Sequence, residues 1–349
     1  MVDAKIQHRF NALRPSATRH PITEGTVMFR KLLTALLLLS TLGTTQAAEL
    51  KGWVLESQDY PKHQGMQYFF EQLRIRSGGR YEGKVLWKET AGDQKTVLPK
   101  FQKGELDVAV LSNTPLYQAV PEMEVLSLPF IFKNTEHMLK TLDGEIGQDL
   151  EKSLAAKGYI VLAWYDGGAR SFYSRTKLLS HASDYSHMKV RVANKPELQR
   201  MVTALGGEPV NLAYDKVKGA LESGEIDVAE NDLISYQLSE QYKFAKYYVI
   251  SNHSVLPEAM VVSTQLWAKL SPADRQMFKD SARESASQMR ILWAQKTALI
   301  RKKLEKEGVK FYDMSDNSGF VSRLRGVYAP VLSNPKSGDL MLKVMTKAS

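Results

Sequence analysis

Met188-Lys189-Val190-Arg191-Val192 opens a stretch that runs to Asp232 and carries the architecture in its order of elements. The opening five residues read as a short buried strand with one charged side chain. Pro196 to Leu205 has a helical pattern, stopped by Gly206-Gly207. Pro209-Val210-Asn211-Leu212 follows, then a second helical segment from about Tyr214 to Glu222. Gly224-Glu225-Ile226-Asp227-Val228-Ala229-Glu230-Asn231 closes the stretch as a Gly-started strand ending on an amide. Strand, helix, strand, helix, strand is the order of a parallel α/β sheet. In such sheets the side chains at the carboxyl ends of the strands line the ligand crevice. Arg191 and Asn231 stand at or near those ends.

The closing strand has an echo. Gly104-Glu105-Leu106-Asp107-Val108-Ala109 returns as Gly224-Glu225-Ile226-Asp227-Val228-Ala229, again after a helical segment. Two similarly built α/β lobes explain this, as does a shared strand-entry turn without deeper kinship. Both readings predict two parallel sheets.

The bulk numbers narrow the function. The 349 residues suffice for two domains, and 43% apolar with 24% charged residues is ordinary for a globular protein. With no cysteine, disulfides, thiolate catalysis and thiolate metal sites are excluded. The formal charge is +9, but six basic residues lie in the first 47 against Asp3 and Glu24. Beyond them 41 basic residues face 36 acidic ones, without a dense basic run, which argues against nucleic acid as a partner.

Residues 1–27 are polar and aperiodic. From Met28 the text changes to Phe29-Arg30-Lys31, an apolar run of 11 residues from Leu32 to Leu42, and Ala47-Ala48 after small residues. A basic head, an apolar run and a small-residue cleavage site make a signal peptide. The run is too short to span a bilayer, which takes ~20 apolar residues. Residues 1–27 read as an upstream extension, 28–47 as the signal peptide, and the mature chain as exported to the periplasm.

In the mature chain, Leu50 to Leu55 reads as a strand, with Glu56 in the loop where the first sheet edge meets the cleft. His63 to Ile75 is helical, and Asp93-Gln94 stands near the start of a helix reaching Phe101. The first Gly-Glu-Leu-Asp strand ends in Leu111-Ser112-Asn113. Pro115 to Asn134 reads as loop and extended chain. A strand from Tyr159 to Trp164 is followed by Tyr165-Asp166-Gly167-Gly168-Ala169-Arg170, read as a turn suited to a crossing between lobes. Lys246 to Ile250 and Ala259 to Ser263 read as two more strands. Ser271-Pro272-Ala273-Asp274 has the residues of a helix start, and no breaker follows until Gly308. A helix over 272–307 is about 54 Å long at 1.5 Å per residue, long enough to span both lobes.

The ordered set of Gly-Glu-Leu-Asp, Leu128-Pro129-Phe130, Gly167-Gly168-Ala169-Arg170, Lys189-Val190-Arg191-Val192, Leu205-Gly206-Gly207-Glu208-Pro209-Val210 and Glu230-Asn231 resembles one family. It is that of the extracytoplasmic solute-binding proteins of tripartite ATP-independent periplasmic (TRAP) transporters, DctP-like, over essentially all of 48–330. The resemblance implies a two-lobe periplasmic-binding-protein-like α/β fold, each lobe a sheet flanked by helices, with a long helix spanning both. Lobe boundaries at 48–167 plus 256–296 and 168–255 plus 297–349 follow. It implies one small organic-acid ligand closed between the lobes and TRAP membrane permease subunits as partners, with the receptor a monomer that uses no cofactor. The family's carboxylate-binding Arg falls on Arg191, its Asn on Asn231, and a further Arg on Arg170. Tyr214, Ser112 and Gln94 are secondary carry-overs. The chain departs from the pattern at His187, where the family often has Gly, and at Asp232, where it has Pro.

A carboxylate taken out of water needs a partner that stays charged and offers paired donors, which a guanidinium does. The plainer readings are that Arg191 pairs with an internal acid such as Glu230, that Arg170 pairs with Asp166, and that Asn231 caps a strand end. Trp164 reads as core. His63, His137, His181, His187 and His253 lack metal-site or triad spacing, and no Gly-x-Ser-x-Gly or phosphate loop is present. A secreted two-domain enzyme acting on an acidic small molecule is the alternative, and it lacks a visible nucleophile or acid–base pair.

Overall fold

The computed structural model describes residues 48–192 and 195–347. The expected extension at 1–27 and signal peptide at 28–47 lie outside the described residues. Among the described residues, nine strands form a single sheet: β1 Ala48–Trp53, β2 Tyr81–Leu86, β3 Val108–Ser112, β4 Ile160–Ser174, β5 Lys189–Val192, β6 Glu208–Asn211, β7 Val228–Asn231, β8 Tyr247–Val262 and β9 Lys310–Asp313. Their order is β2-β1-β3-β8-β4-β7-β5-β6, with β9 added beside β8.

Each end of this sheet is parallel. β1 runs parallel to β2 and β3, and β5 parallel to β6 and β7. Between them β4 and β8 pair antiparallel along nearly their whole length and belong to both halves. One mixed sheet therefore replaces the two separate parallel sheets expected. The two copies of the repeated motif begin alike, with Gly104 and Gly224 both at left-handed φ, +76° and +82°, which turns the chain out of the preceding helix toward the strand.

The strands are covered on both faces, as apolar runs such as Val108-Ala109-Val110-Leu111 require. Ala109 and Leu111 pack with Trp53, Phe101 and Trp164. Val108 and Val110 pack on the other face with Phe70, Tyr165, Phe278 and Met289. In the second half Phe172, Val190 and Val228 share one core, and Tyr173, Ala229 and Tyr248 another. The helices that matter for the site are α1 Pro61–Arg76, α2 Gln94–Gln102, α3 Leu233–Leu238 and α4 Pro272–Lys306. Ser271 caps α4 by accepting from Asp274 N at 3.1 Å. Along its 35 residues α4 buries Phe278 and Met289 in the first-half core and Ile300 and Leu304 in the second, so it does span both.

Several local expectations are corrected. Residues 128–134 are loop as expected, but Asn113–Ala119 is helical and Pro121–Ser127 is a 3-10 turn, opened by a Pro whose fixed φ suits a first helical position. Tyr165 to Arg170 does not turn away. β4 continues through it with a register shift between Asp166 and Ala169, so the glycines make a bulge. Gly168 has φ +90°, and a Cβ there would meet Trp293 of α4 at 2.6 Å. The two strands read at 246–250 and 259–263 are one, β8, which passes through Asn252 at φ +43°. The final helix, Pro335–Thr346, packs Leu340 and Val344 into the core around Trp53, so the tail placed with the second lobe ends against the first.

Candidate ligand site

Arg191 ends up as a buried cation at the carboxyl end of β5, only 4% exposed. Its Nε and Nη2 donate to Leu212 O at 3.1 and 2.9 Å, which fixes the plane of the guanidinium. Nη1 stands 3.8 Å from Glu230 Oε1, beyond hydrogen-bond reach. Burial pulls the Arg191 pKa below its ordinary value, partly offset by Glu230. The strand that carries it enters through His187, which adopts φ +61° at the position where a Gly was expected, and His187 N donates to Gly206 O at 2.8 Å.

Arg170 takes Glu230 instead. Its Nε and Nη2 grip the two carboxylate oxygens, with Nη2 at 2.9 Å from Oε1, and Nη2 also reaches Glu230 O. The Arg170–Asp166 pair considered from the sequence is not made; Asp166 accepts from Gly168 N at 2.8 Å and braces the bulge. Glu230 is fully buried. Burial alone would raise its carboxyl pKa, but the Arg170 charge, with His253, holds it well below the usual carboxylate range. His253 lies 3.8 Å from Glu230 and stacks on Phe172 with ring centroids 4.0 Å apart.

Asn231 is tied to the same group. Its Oδ1 accepts from Arg170 Nη1 at 2.9 Å and from Asp232 N at 3.0 Å, so its amide nitrogen is the part left to donate. Asp232 caps α3 through Ser235 N at 2.9 Å and accepts from Tyr60 OH of the first half at 3.1 Å. Tyr214 is 46% exposed, with its hydroxyl donating to Ser235 O at 3.2 Å. Arg191, Arg170, Asn231 and Tyr214 thus form one group on the second half.

The other three expected residues fall on the first half. Gln94 and Ser112 bind each other twice, Gln94 Nε2 to Ser112 Oγ and Ser112 N to Gln94 Oε1, both at 2.9 Å. Ser112 is the strand partner of Glu258 on β8. Glu56 meets Lys62 at 2.6 Å, and the same Lys62 Nζ donates to Glu258 at 2.9 Å. Burial would lower the Lys62 pKa, yet Glu258 and Glu56 hold it above its ordinary value. Burial raises the Glu56 carboxyl, with Lys62 opposing. Burial and Arg170 lower the Lys195 pKa, with Glu197, Glu230 and Glu258 opposing.

Sequence reasoning missed Lys62, Glu258 and Lys195, set His253 aside with the other histidines, and saw Asp166 and Glu230 only as partners for Arg170 and Arg191. A signal existed for Glu258, a lone acid in the apolar run Val255 to Val262, and for Lys62, one residue inside a Pro-started helix. Nothing local marks His253.

The family model for bacterial extracellular solute-binding protein, family 7 (DctP), matches residues 53–330. The chain belongs to this family. A solute-binding protein of Chromohalobacter salexigens is 35% identical over 297 residues, covering 85% of this chain and 88% of its own. Two solved TRAP periplasmic solute-binding proteins are each 33% identical with a TM-score of 0.78, covering 86% of this chain and all of theirs. One, from Roseobacter denitrificans, holds β-D-glucuronate, and the other, from a Sulfitobacter species, β-D-galacturonate. The mixed α/β sheet flanked by helices is therefore the two-lobe fold of extracytoplasmic receptors.

Proposed function

We propose that this receptor captures a small organic acid between its two halves, holds the carboxylate on Arg191, and hands the ligand to the membrane subunits of a TRAP transporter. The observation that carries the reading is the state of Arg191. Its plane is set by Leu212 O, it is almost wholly buried, and among the described residues no carboxylate lies within hydrogen-bond distance of its Nη1. A guanidinium kept from water without a bonded counter-ion is costly, and an incoming carboxylate offsets that cost. Asn231, Arg170 and Tyr214 line the same side, while Glu56, Ser112 and Gln94 approach from the other. Sugar acids of the uronate class fit the relatives' ligands and the polar first-half wall.

Closure would bend β4 and β8 where they pass between halves, near the Gly167-Gly168 bulge and Asn252. The chain works in the periplasm as a monomer after removal of 28–47, and returns the bound acid unchanged. A thermal-shift series with D-glucuronate, D-galacturonate and succinate tests this. A ligand at 100 times its Kd stabilises by about 2.7 kcal/mol. Arg191→Ala should weaken binding ~100- to 1,000-fold, since truncating a buried charge-pair partner costs about 2–5 kcal/mol. An unchanged response in that variant sinks the role given to Arg191.

A further inference from the structure

The two walls of the cleft carry opposite charge at equivalent positions. Superposing the motif copies by register sets Asp107 on Asp227 and so Ser112 on Asp232. Ser112 pairs with Glu258 on β8, and Asn231 with Ser171 on β4. The residue of β4 facing the Asp232 position is then Arg170, which makes Glu258 its counterpart. Each is bound by a group from its own half. Arg170 is held by Glu230, and Glu258 by Lys62, which also holds Glu56.

Counting charge on each side gives the consequence. In the second half Arg170, Arg191 and Lys195 stand against Glu230, Glu197 and Asp232, three cations balanced by three anions. In the first half Glu56 and Glu258 share the one cation Lys62, so this cluster carries one net negative charge. Lys62 occupies Oε1 of Glu56 and Oε2 of Glu258, which leaves Glu56 Oε2 and Glu258 Oε1 as acceptors. Both side chains keep a little exposure, 19% and 14%. Ionised carboxylate oxygens accept hydrogen bonds and cannot donate. They welcome hydroxyl groups and repel a second carboxylate.

We infer that the Glu56–Lys62–Glu258 cluster is a hydroxyl-reading subsite that makes the receptor select monocarboxylate polyols and reject dicarboxylates. This rests on the receptor reading above, with the one carboxylate on Arg191. It also settles the role of the second arginine: Arg170, spent on Glu230, positions Asn231 and does not take a second acid group.

The test is titration calorimetry on the mature chain with matched pairs differing only in CH2OH against CO2⁻: D-gluconate and D-glucarate, D-galactonate and galactarate, together with D-glucuronate and succinate. The monocarboxylates should bind at least 100-fold more tightly than their dicarboxylate partners. Glu258→Gln and Glu56→Gln remove the negative charge and keep the shape, and each should narrow that ratio at least tenfold. Their fold is checked by circular dichroism and by a single cooperative thermal transition without ligand; the wild-type ratio needs no variant. A dicarboxylate bound as tightly as its partner or as D-glucuronate overturns the inference, as does a ratio unmoved in both variants. A chain that binds none of these acids instead defeats the receptor reading itself.

Discussion

Asp107 and Asp227 perform the same task in the two halves of the sheet. Asp107 Oδ2 accepts from Lys51 N at 2.7 Å, and Asp227 Oδ2 from Lys189 N at 2.9 Å. Each Asp also donates its own N–H to the same lysine's carbonyl at 2.9 Å, and its carbonyl accepts from the neighbouring antiparallel strand, from Ser263 N in one half and Arg175 N in the other. From this shared start the halves diverge. Two residues beyond each lysine stand Trp53 and Arg191. Three and four beyond each Asp stand Val110 and Leu111 in the first half, but Glu230 and Asn231 in the second. Trp53, Val110 and Leu111 are buried in apolar cores, and Arg191, Glu230 and Asn231 are buried polar groups at the strand ends. One scaffold position is either packed with hydrocarbon or used for charge. The second choice gives up core stability and, on the proposed function, makes a place to hold an anion.

The most disruptive way to test that contrast is to give the second half a first-half residue. Glu230→Val strands Arg170 in a buried site without its counter-ion, and should destabilise by about 3–5 kcal/mol in urea unfolding. Glu230→Val with Arg170→Met removes both charges and should recover most of that loss. If the double variant is no better than the single one, the pair is not the dominant buried electrostatic contact of this half. The acid limb of stability carries the same information. The Glu230 carboxyl is held below the unfolded value, so its contribution is present above about pH 4.5 and lost as pH falls through the lower folded value. The Glu230→Val/Arg170→Met variant should lack that portion of the acid limb.

Much of this was legible in the residues. The motif repeat announced two related halves, Ser271-Pro272 announced α4, and Arg191, Arg170, Asn231 and Tyr214 meet on one wall. The bulge in β4 was not legible, because Gly167-Gly168 reads equally as a turn, and only pairing with β8 shows that the strand goes on. The partner of Arg170 was missed for a related reason. Asp166 is closer in sequence, but β4 and β7 run antiparallel with Ser171 opposite Asn231, which brings Glu230 to the arginine. Lys62 and Glu258 are 196 residues apart and meet only through the sheet.

A smaller effect is expected at the crossing between halves. Burial pushes the Asp166 pKa up to about 6, with Gly168 N, Lys62 and Arg290 opposing and Glu258 adding. The folded chain therefore holds a proton that the unfolded chain releases near pH 3.8. Stability from this group is full below the unfolded value and falls as pH rises through about 6. At 1.36 kcal/mol per pKa unit the loss above pH 6 is about 3 kcal/mol. Asp166→Asn can still accept from Gly168 N, and should gain up to that amount at pH 7.5 while gaining little near pH 4. Thermal unfolding at the two pH values reads the difference, and an equal gain at both would show that the carboxylate charge is not the cause.

The finest test addresses the equivalence itself. Asp107→Ala and Asp227→Ala each delete one hydrogen bond from a strand-starting N–H, of a kind worth about 0.5–1.5 kcal/mol. Both aspartates are half-buried and make the same three backbone contacts, so the two losses should agree within about 0.5 kcal/mol and add in the double variant, the sites being far apart. Only Asp227 lies on the strand leading to Glu230 and Asn231. Its variant should therefore also weaken binding of D-glucuronate several-fold, while Asp107→Ala leaves the affinity near that of the unaltered chain. Equal losses of stability with unequal losses of affinity would mean that the halves share an entry device and differ in what stands at the strand ends. Equal losses of both would place ligand affinity in the sheet as a whole, and the contrast between Trp53 and Arg191 would no longer explain the site.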